Sequence, residues 1–196
     1  MIPPEIPQIW GYCIGRQETW ADREAFNAIA PEWVRRILCA ACETGLRPAD
    51  LIKLTSAHIE DTPGGRRLRV RTNKRKRLAH IPITPALAEV IDAMPSDRLL
   101  ILTNANGNRL TPHRASEGVR QWRDKAKLSD ELRLYDARRT AATRLLNAGL
   151  SLAEIANHMG WSIRYAANVI EHYARVSPDE TDAVLVKLAR AKGGVA

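Results

Sequence analysis

Residues 62–83 read TPGGRRLRVRTNKRKRLAHIPI. Leu68 and Val70 alternate with Arg67, Arg69 and Arg71, Gly64 and Gly65 mark a turn before them, and His80, Ile81, Pro82 and Ile83 take up the alternation again. A period of two beside a turn signal is the pattern of half-buried strands. The segment is therefore read as an antiparallel hairpin, three-stranded if residues 57–61 pair as well, with residues 73–77 as its tip. Eight of the 12 residues at 66–77 are basic, and no acid lies between Asp61 and Glu89. Edge cations can serve merely to keep a strand edge solvated. A single-sign patch this dense repels itself unless phosphates neutralise it, which favours a polyanionic partner.

Around the hairpin, 196 residues allow one domain with a short appendage. Hydrophobic residues at 45% and charged residues at 27% are globular values. No apolar run approaches the roughly 18 residues of a membrane span, so no membrane partner is expected, and MIPPEIPQIW lacks a signal-peptide pattern. Thirty Lys and Arg against 22 Asp and Glu leave a net charge of +8. The cysteines Cys13, Cys39 and Cys42 form no disulfide framework, which points to the reducing cytoplasm. Cys39 and Cys42 have the spacing of a zinc half-site but no second pair, so they are read as small hydrophobes on the buried face of a helix starting near Pro31. No metal or cofactor is expected.

The rest of the chain is punctuated as helices. Thr84 and Pro85 open one to about residue 94, and Thr111 and Pro112 another to about 128. A helix follows Asp136 to Asn147 and stops at Gly149; Ser151 and Glu154 form a capping box for one that ends at Gly160; Ser162 caps the next. Ser177, Pro178 and Glu180 open a last helix to about residue 191. Residues 98–102 read as a short strand. The expected fold is mainly α (α+β), helical with a small antiparallel three-stranded sheet.

Polar residues stand at marked places in this frame: Arg47 at a helix mouth within TGLRPADLIKL, Lys74 on the hairpin tip, Arg138 at the helix start in YDARRTAATRLLNAG, Trp161 in IANHMGWS, and Tyr173 in EHYARVSP. In order and spacing, with 91 residues from Arg47 to Arg138 and 35 from Arg138 to Tyr173, these motifs resemble the tyrosine recombinases, the phage-integrase family. The resemblance covers residues 31–180 and implies a helical recombinase catalytic domain. Residues 31–196, including a C-terminal helix, would form it, and residues 1–30 an N-terminal extension or linker remnant in place of the DNA-clamping domain usual in the family.

The resemblance implies a site-specific DNA recombinase that cleaves and rejoins DNA through a 3′-phosphotyrosine. Arg47 and Arg138 would clamp the scissile phosphate, a bidentate task suited to guanidinium. Tyr173 would attack, Lys74 would protonate the leaving 5′ oxygen, and Asp50 would orient Arg47. Trp161, where the family has His or Trp, would donate its indole N–H to the phosphate while its ring packs under Tyr173. Tyr135 replaces the usual His of His-x-x-Arg; a phenol donates a hydrogen bond but is a poor acid or base near pH 7. Arg69, Arg71, Arg75, Lys76, Arg77 and Arg139 would bind the duplex. The implied partner is double-stranded DNA, held by a homotetramer on paired sites with the C-terminal helix docked on a neighbour, in a bacterial or phage-encoded, nucleoid-associated protein. The rival readings are a helix-turn-helix regulator built on residues 152–170, a type IB topoisomerase, and a member that binds DNA without cutting it.

Overall fold

The computed structural model describes residues 20–95, 98–130 and 133–171, with side chains from residue 24 onward. The expected C-terminal helix and Tyr173 lie outside the described residues. Eight helices surround a three-stranded sheet among the described residues: α1 (Trp20–Ile29), α2 (Glu32–Thr44), α3 (Pro48–Leu51), β1 (Ile59–Thr62), β2 (Gly65–Arg71), β3 (Leu78–Pro82), α4 (Pro85–Asp92), α5 (Pro112–Lys125), α6 (Ala137–Asn147), α7 (Leu152–Met159) and α8 (Ile163–Glu171).

The sheet runs β1-β2-β3, antiparallel throughout. Its register pairs Ile59 with Leu68, Leu68 with Ile81 and Val70 with Ala79 on the core face, while Arg67, Arg69 and Arg71 share the other face opposite Pro82, His80 and Leu78. The alternation read from sequence thus sorts apolar from basic residues, and the tip falls at 73–77 as expected. Several of these arginines have internal partners. Arg66 grips Asp92 through both terminal nitrogens, at 2.7 and 2.8 Å, and Arg67 and Arg69 both pair with Glu60.

The helix caps follow their signals. Thr84 accepts a bond from the Leu87 N–H, Thr111 from that of Arg114 and Ser162 from that of Tyr165, and Ser151 and Glu154 close a reciprocal capping box. Helix α5 ends three residues earlier than expected, because Lys127 takes a left-handed conformation at φ 56°. Residues 98–102 do not form a strand. Leu100 makes a single bridge to Thr55, and Ile101 and Leu102 are buried in succession while Leu99 is exposed, so neither a ladder nor a period-two face exists. Helix α1, which the sequence leaves in the N-terminal extension, buries Phe26 in the main core and packs against α5.

Two apolar clusters result. The larger surrounds α2, whose Val34, Ile37, Leu38, Ala41 and Cys42 are buried, and reaches the inner face of the sheet; the smaller joins Ala141, Leu145, Ile155, Met159, Trp161, Ala166 and Ile170 from α6, α7 and α8. Their seam lies at the end of α2, where Gly45 faces Met159 and Ala141.

Candidate active site

Gly45 stops α2 in the left-handed region, φ 62°, and its N–H bonds back to the Ala41 carbonyl. A side chain there would be strained, and a Cβ would lie 2.7 Å from the Met159 Sδ and 2.9 Å from the Ala141 Cβ. The glycine therefore lets α2 end against α6 and α7, and the chain turns directly into Arg47, the N-cap of the short α3. Arg47 is half-buried, and its side chain makes no hydrogen bond or ion pair among the described residues.

Arg138 comes to the same seam from the first turn of α6. It is 8% exposed. Its Nη1 donates to the Gly45 carbonyl and its Nη2 to the Met159 carbonyl at 2.9 Å, so one guanidinium bridges the two clusters. No carboxylate pairs with it among the described residues. Burial, and then repulsion from Arg47, push its pKa down to about 10, so it stays charged at neutral pH. A guanidinium has five N–H donors, and with two spent on carbonyls and only the more remote field of Asp50 offsetting its charge, it keeps donors for an anion among the described residues.

Trp161 walls this site. It follows Gly160, the left-handed stop of α7, and its ring lies 5.0 Å from the Arg138 guanidinium carbon. The residue is 7% exposed, and its Nε1 is buried without a hydrogen-bond partner among the described residues. A buried orphan donor costs stability unless a ligand meets it. The packing of Tyr173 on this ring lies outside the described residues; Tyr165 of α8 meets it edge to face, with centroids 5.2 Å apart.

The hairpin closes another side. Lys74 is exposed on the tip, and the preceding residue is fastened, the Asn73 N–H donating to Asp50 Oδ1 at 2.8 Å. The buried Asp50 carboxylate thus ties the hairpin to α3, whereas the sequence reading has it orient Arg47. Arg75 lies over the Tyr165 ring at 4.3 Å, Lys76 Nζ donates to the Asn73 side chain, and Arg71 Nη1 donates to the Lys76 carbonyl. Arg77 and Arg139 are exposed. Tyr135, three residues before Arg138, is 61% exposed, so the hydroxyl is accessible and the residue is not part of the core.

Behind the clamp, Arg144 and Thr84, both half-buried, form a polar network around the buried Glu43: Arg144 Nη1 and the Thr84 hydroxyl both donate to its carboxylate. His158 is buried beside it and held neutral, with a pKa lowered to about 4 by burial and by Arg144. Neither this network nor Tyr165 was singled out in the sequence, since their partners are 101 and 90 residues away in the chain for the pairs Arg144–Glu43 and Tyr165–Arg75.

Arg47, Arg138 and Trp161 thus come together from three separate segments, and the hairpin tip that carries Lys74 is tied to α3 through Asn73 and Asp50. The sequence model described as the phage integrase family matches residues 21–180. The chain belongs to the phage integrase family. Solved integrases share its fold: a lambda integrase dimer bound to a COC′ core site, 22% identical over 76% of this chain and 56% of that one with a TM-score of 0.62; the lambda integrase catalytic core, 21% identical over 71% and 87% with a TM-score of 0.60; and the Tn1549 transposon integrase with circular intermediate DNA, 18% identical over 87% and 65% with a TM-score of 0.62. The chain spans about half the length of the lambda integrase chains that head the structural comparison. A sequence search of curated proteins finds no match. Family membership sets aside the free-standing regulator built on α7 and α8; α7 is moreover packed against β3. No helix among the described residues is long and apolar enough to cross a membrane.

Proposed function

We propose that this phage integrase family chain is the catalytic part of a site-specific DNA recombinase that cleaves and rejoins duplex DNA through a 3′-phosphotyrosine. The observation that carries the reading is Arg138: a buried guanidinium with no ion-paired carboxylate among the described residues, beside a second arginine and an indole N–H that has no hydrogen-bond partner among them. This is a cationic pocket that keeps donors for an anion, on a chain whose hairpin tip adds further cations.

In this mechanism Arg47 and Arg138 hold the nonbridging oxygens of the scissile phosphate and Trp161 donates to one of them, stabilising charge that grows in the transition state. The Tyr173 oxygen bonds to phosphorus as the phenol passes its proton to water, and the P–O5′ bond breaks as Lys74 gives its proton to the leaving oxygen. The ester energy stays in the phosphotyrosine, and attack by a 5′ hydroxyl reverses the steps. Tyr135 donates a hydrogen bond to the phosphate. Arg69, Arg71, Lys76, Arg77 and Arg139 face the duplex, with Arg69 leaving Glu60 to do so. A homotetramer on paired sites, with C-terminal helices exchanged between neighbours, and a cytoplasmic, nucleoid-associated location complete the proposal.

The test is covalent capture. The full chain is incubated with nicked duplexes of randomised sequence, adducts are isolated under denaturing conditions, and the modified peptide is mapped by mass spectrometry. The expected adduct is on Tyr173 and disappears in Tyr173→Phe. An adduct on Tyr165, or one undiminished in Tyr173→Phe, refutes the assignment.

A further inference from the structure

Lys74 has no partner of its own among the described residues, yet both its neighbours are fastened. On one side the Asn73 N–H donates to Asp50, which stands three residues after Arg47. On the other, the Arg75 guanidinium lies 4.3 Å from the centroid of the Tyr165 ring, which stands four residues after Trp161 and meets its ring at 87°. Each neighbour is therefore tied to an element that carries a residue of the anion site. The neck below is closed by the Thr72 N–H and hydroxyl, both donating to the Arg77 carbonyl at 2.8 and 3.1 Å, and by the Lys76 N–H donating to Thr72. These bonds hold the loop's shape, not its direction. Lys74, Arg75, Lys76 and Arg77 are four consecutive cations, and their mutual repulsion, together with that of Arg138, favours a tip swung out into solvent. A tip held inward needs an attachment at its outer end, and the aromatic face is that attachment.

We propose that Tyr165 is a positioning residue: by holding Arg75 on its ring face it seats the hairpin tip, and Lys74 with it, over the phosphate site. The inference rests on the recombinase reading for what Lys74 does, but not for where the tip sits. The ring, rather than the hydroxyl, does the holding, because the attraction is between a cation and a quadrupole. Arg75 is thereby assigned to the protein in the DNA-free state, rather than to the duplex as the sequence reading has it.

The experiment is limited trypsin digestion of the full-length chain under native conditions, with cleavage after residues 74–77 followed by mass spectrometry. When opening is fast relative to cleavage, the rate follows the population of the open tip. Tyr165→Leu should raise cleavage at the tip by about tenfold, the loss expected for one partly desolvated cation–π contact, and Tyr165→Phe should stay within about twofold of wild type. A merely structural loss would also raise cleavage at Arg35 of α2 and Arg120 of α5, exposed sites outside the α6–α8 cluster that serve as internal controls. Arg75→Gln, which leaves the packing around Tyr165 intact, should open the tip as Tyr165→Leu does and stands in for it if the leucine variant does not fold. Wild-type cleavage of the tip in Arg75→Gln, or equal acceleration in the leucine and phenylalanine variants, overturns the proposal. The outcome is separable from the recombinase reading: an opened tip in these variants together with undiminished adducts in Lys74→Ala would remove Lys74 from the chemistry while leaving the seat in place.

Discussion

Gly45→Ala probes the seam on which the site is built. At φ 62° an alanine sits in the left-handed region, at a cost of about 1–2 kcal/mol. Its Cβ would meet the Met159 side chain at 2.7 Å and the Ala141 Cβ at 2.9 Å. The Met159 thioether fills the space on one side and the Ala141 methyl, fixed to the α6 backbone, on the other, so both must give way, and overpacking of this kind adds about 1–3 kcal/mol. The sum, about 2–5 kcal/mol, is a large part of the stability of an ordinary domain and corresponds to a melting point lower by roughly 4–20 °C. The displacement acts directly on the site, because it separates the Gly45 carbonyl from Arg138. Urea unfolding of the wild type, Gly45→Ala, Met159→Ala and the double variant forms a cycle. Met159→Ala leaves a cavity that the new methyl enters, so the double variant should be more stable than additivity predicts by about 1–2 kcal/mol, with the backbone strain remaining. A Gly45→Ala protein within about 0.5 kcal/mol of wild type, or strictly additive losses, would refute this account of the seam.

Arg47→Ala and Arg138→Ala should each slow cleavage by about a hundredfold or more. Only Arg138→Ala should lower stability as well, since Arg47 has no bonded partner among the described residues while Arg138 bridges Gly45 and Met159; equal melting points for the two variants would contradict that division. His158 binds its proton at about pH 4 when folded and near 6.5 when unfolded, so over that window the unfolded chain holds more protons and stability falls as pH falls, by about 3 kcal/mol in all. His158→Gln should flatten the pH dependence of unfolding between pH 7 and 4, and an unchanged slope would place the titration elsewhere. Tyr135→Phe should leave stability unchanged, given its exposure, and lower single-turnover cleavage by about tenfold, with Tyr135→His at least matching wild type; a phenylalanine variant as fast as wild type would show that the phenol takes no part.

What the sequence reveals of this fold and site depends on how far apart the interacting residues lie. Caps and alternation are written within about four residues of themselves, and Thr84, Thr111, Ser151, Ser162 and the Leu68–Val70 face all behave as their neighbours dictate. Residues 98–102 misled because their β-branched and apolar composition is answered by a single bridge to Thr55, and Phe26 of α1 was passed over because a lone aromatic gives no period. The residue types of the site were legible as an ordered set of motifs, but their partners were not. Asp50 stands beside Arg47 in the chain and bonds Asn73 instead; Arg75 belongs to a basic run and rests on an aromatic ring of α8. Arg138 shows the reason most clearly. Its charge can be read from the helix start, but the two carbonyls it binds belong to Gly45 and Met159, at the ends of different helices, and only packing brings them together. A residue that both joins two clusters and retains donors for an anion makes the stability of the seam and the readiness of the site one property, so substitutions that open the seam should disable the site before they unfold the chain.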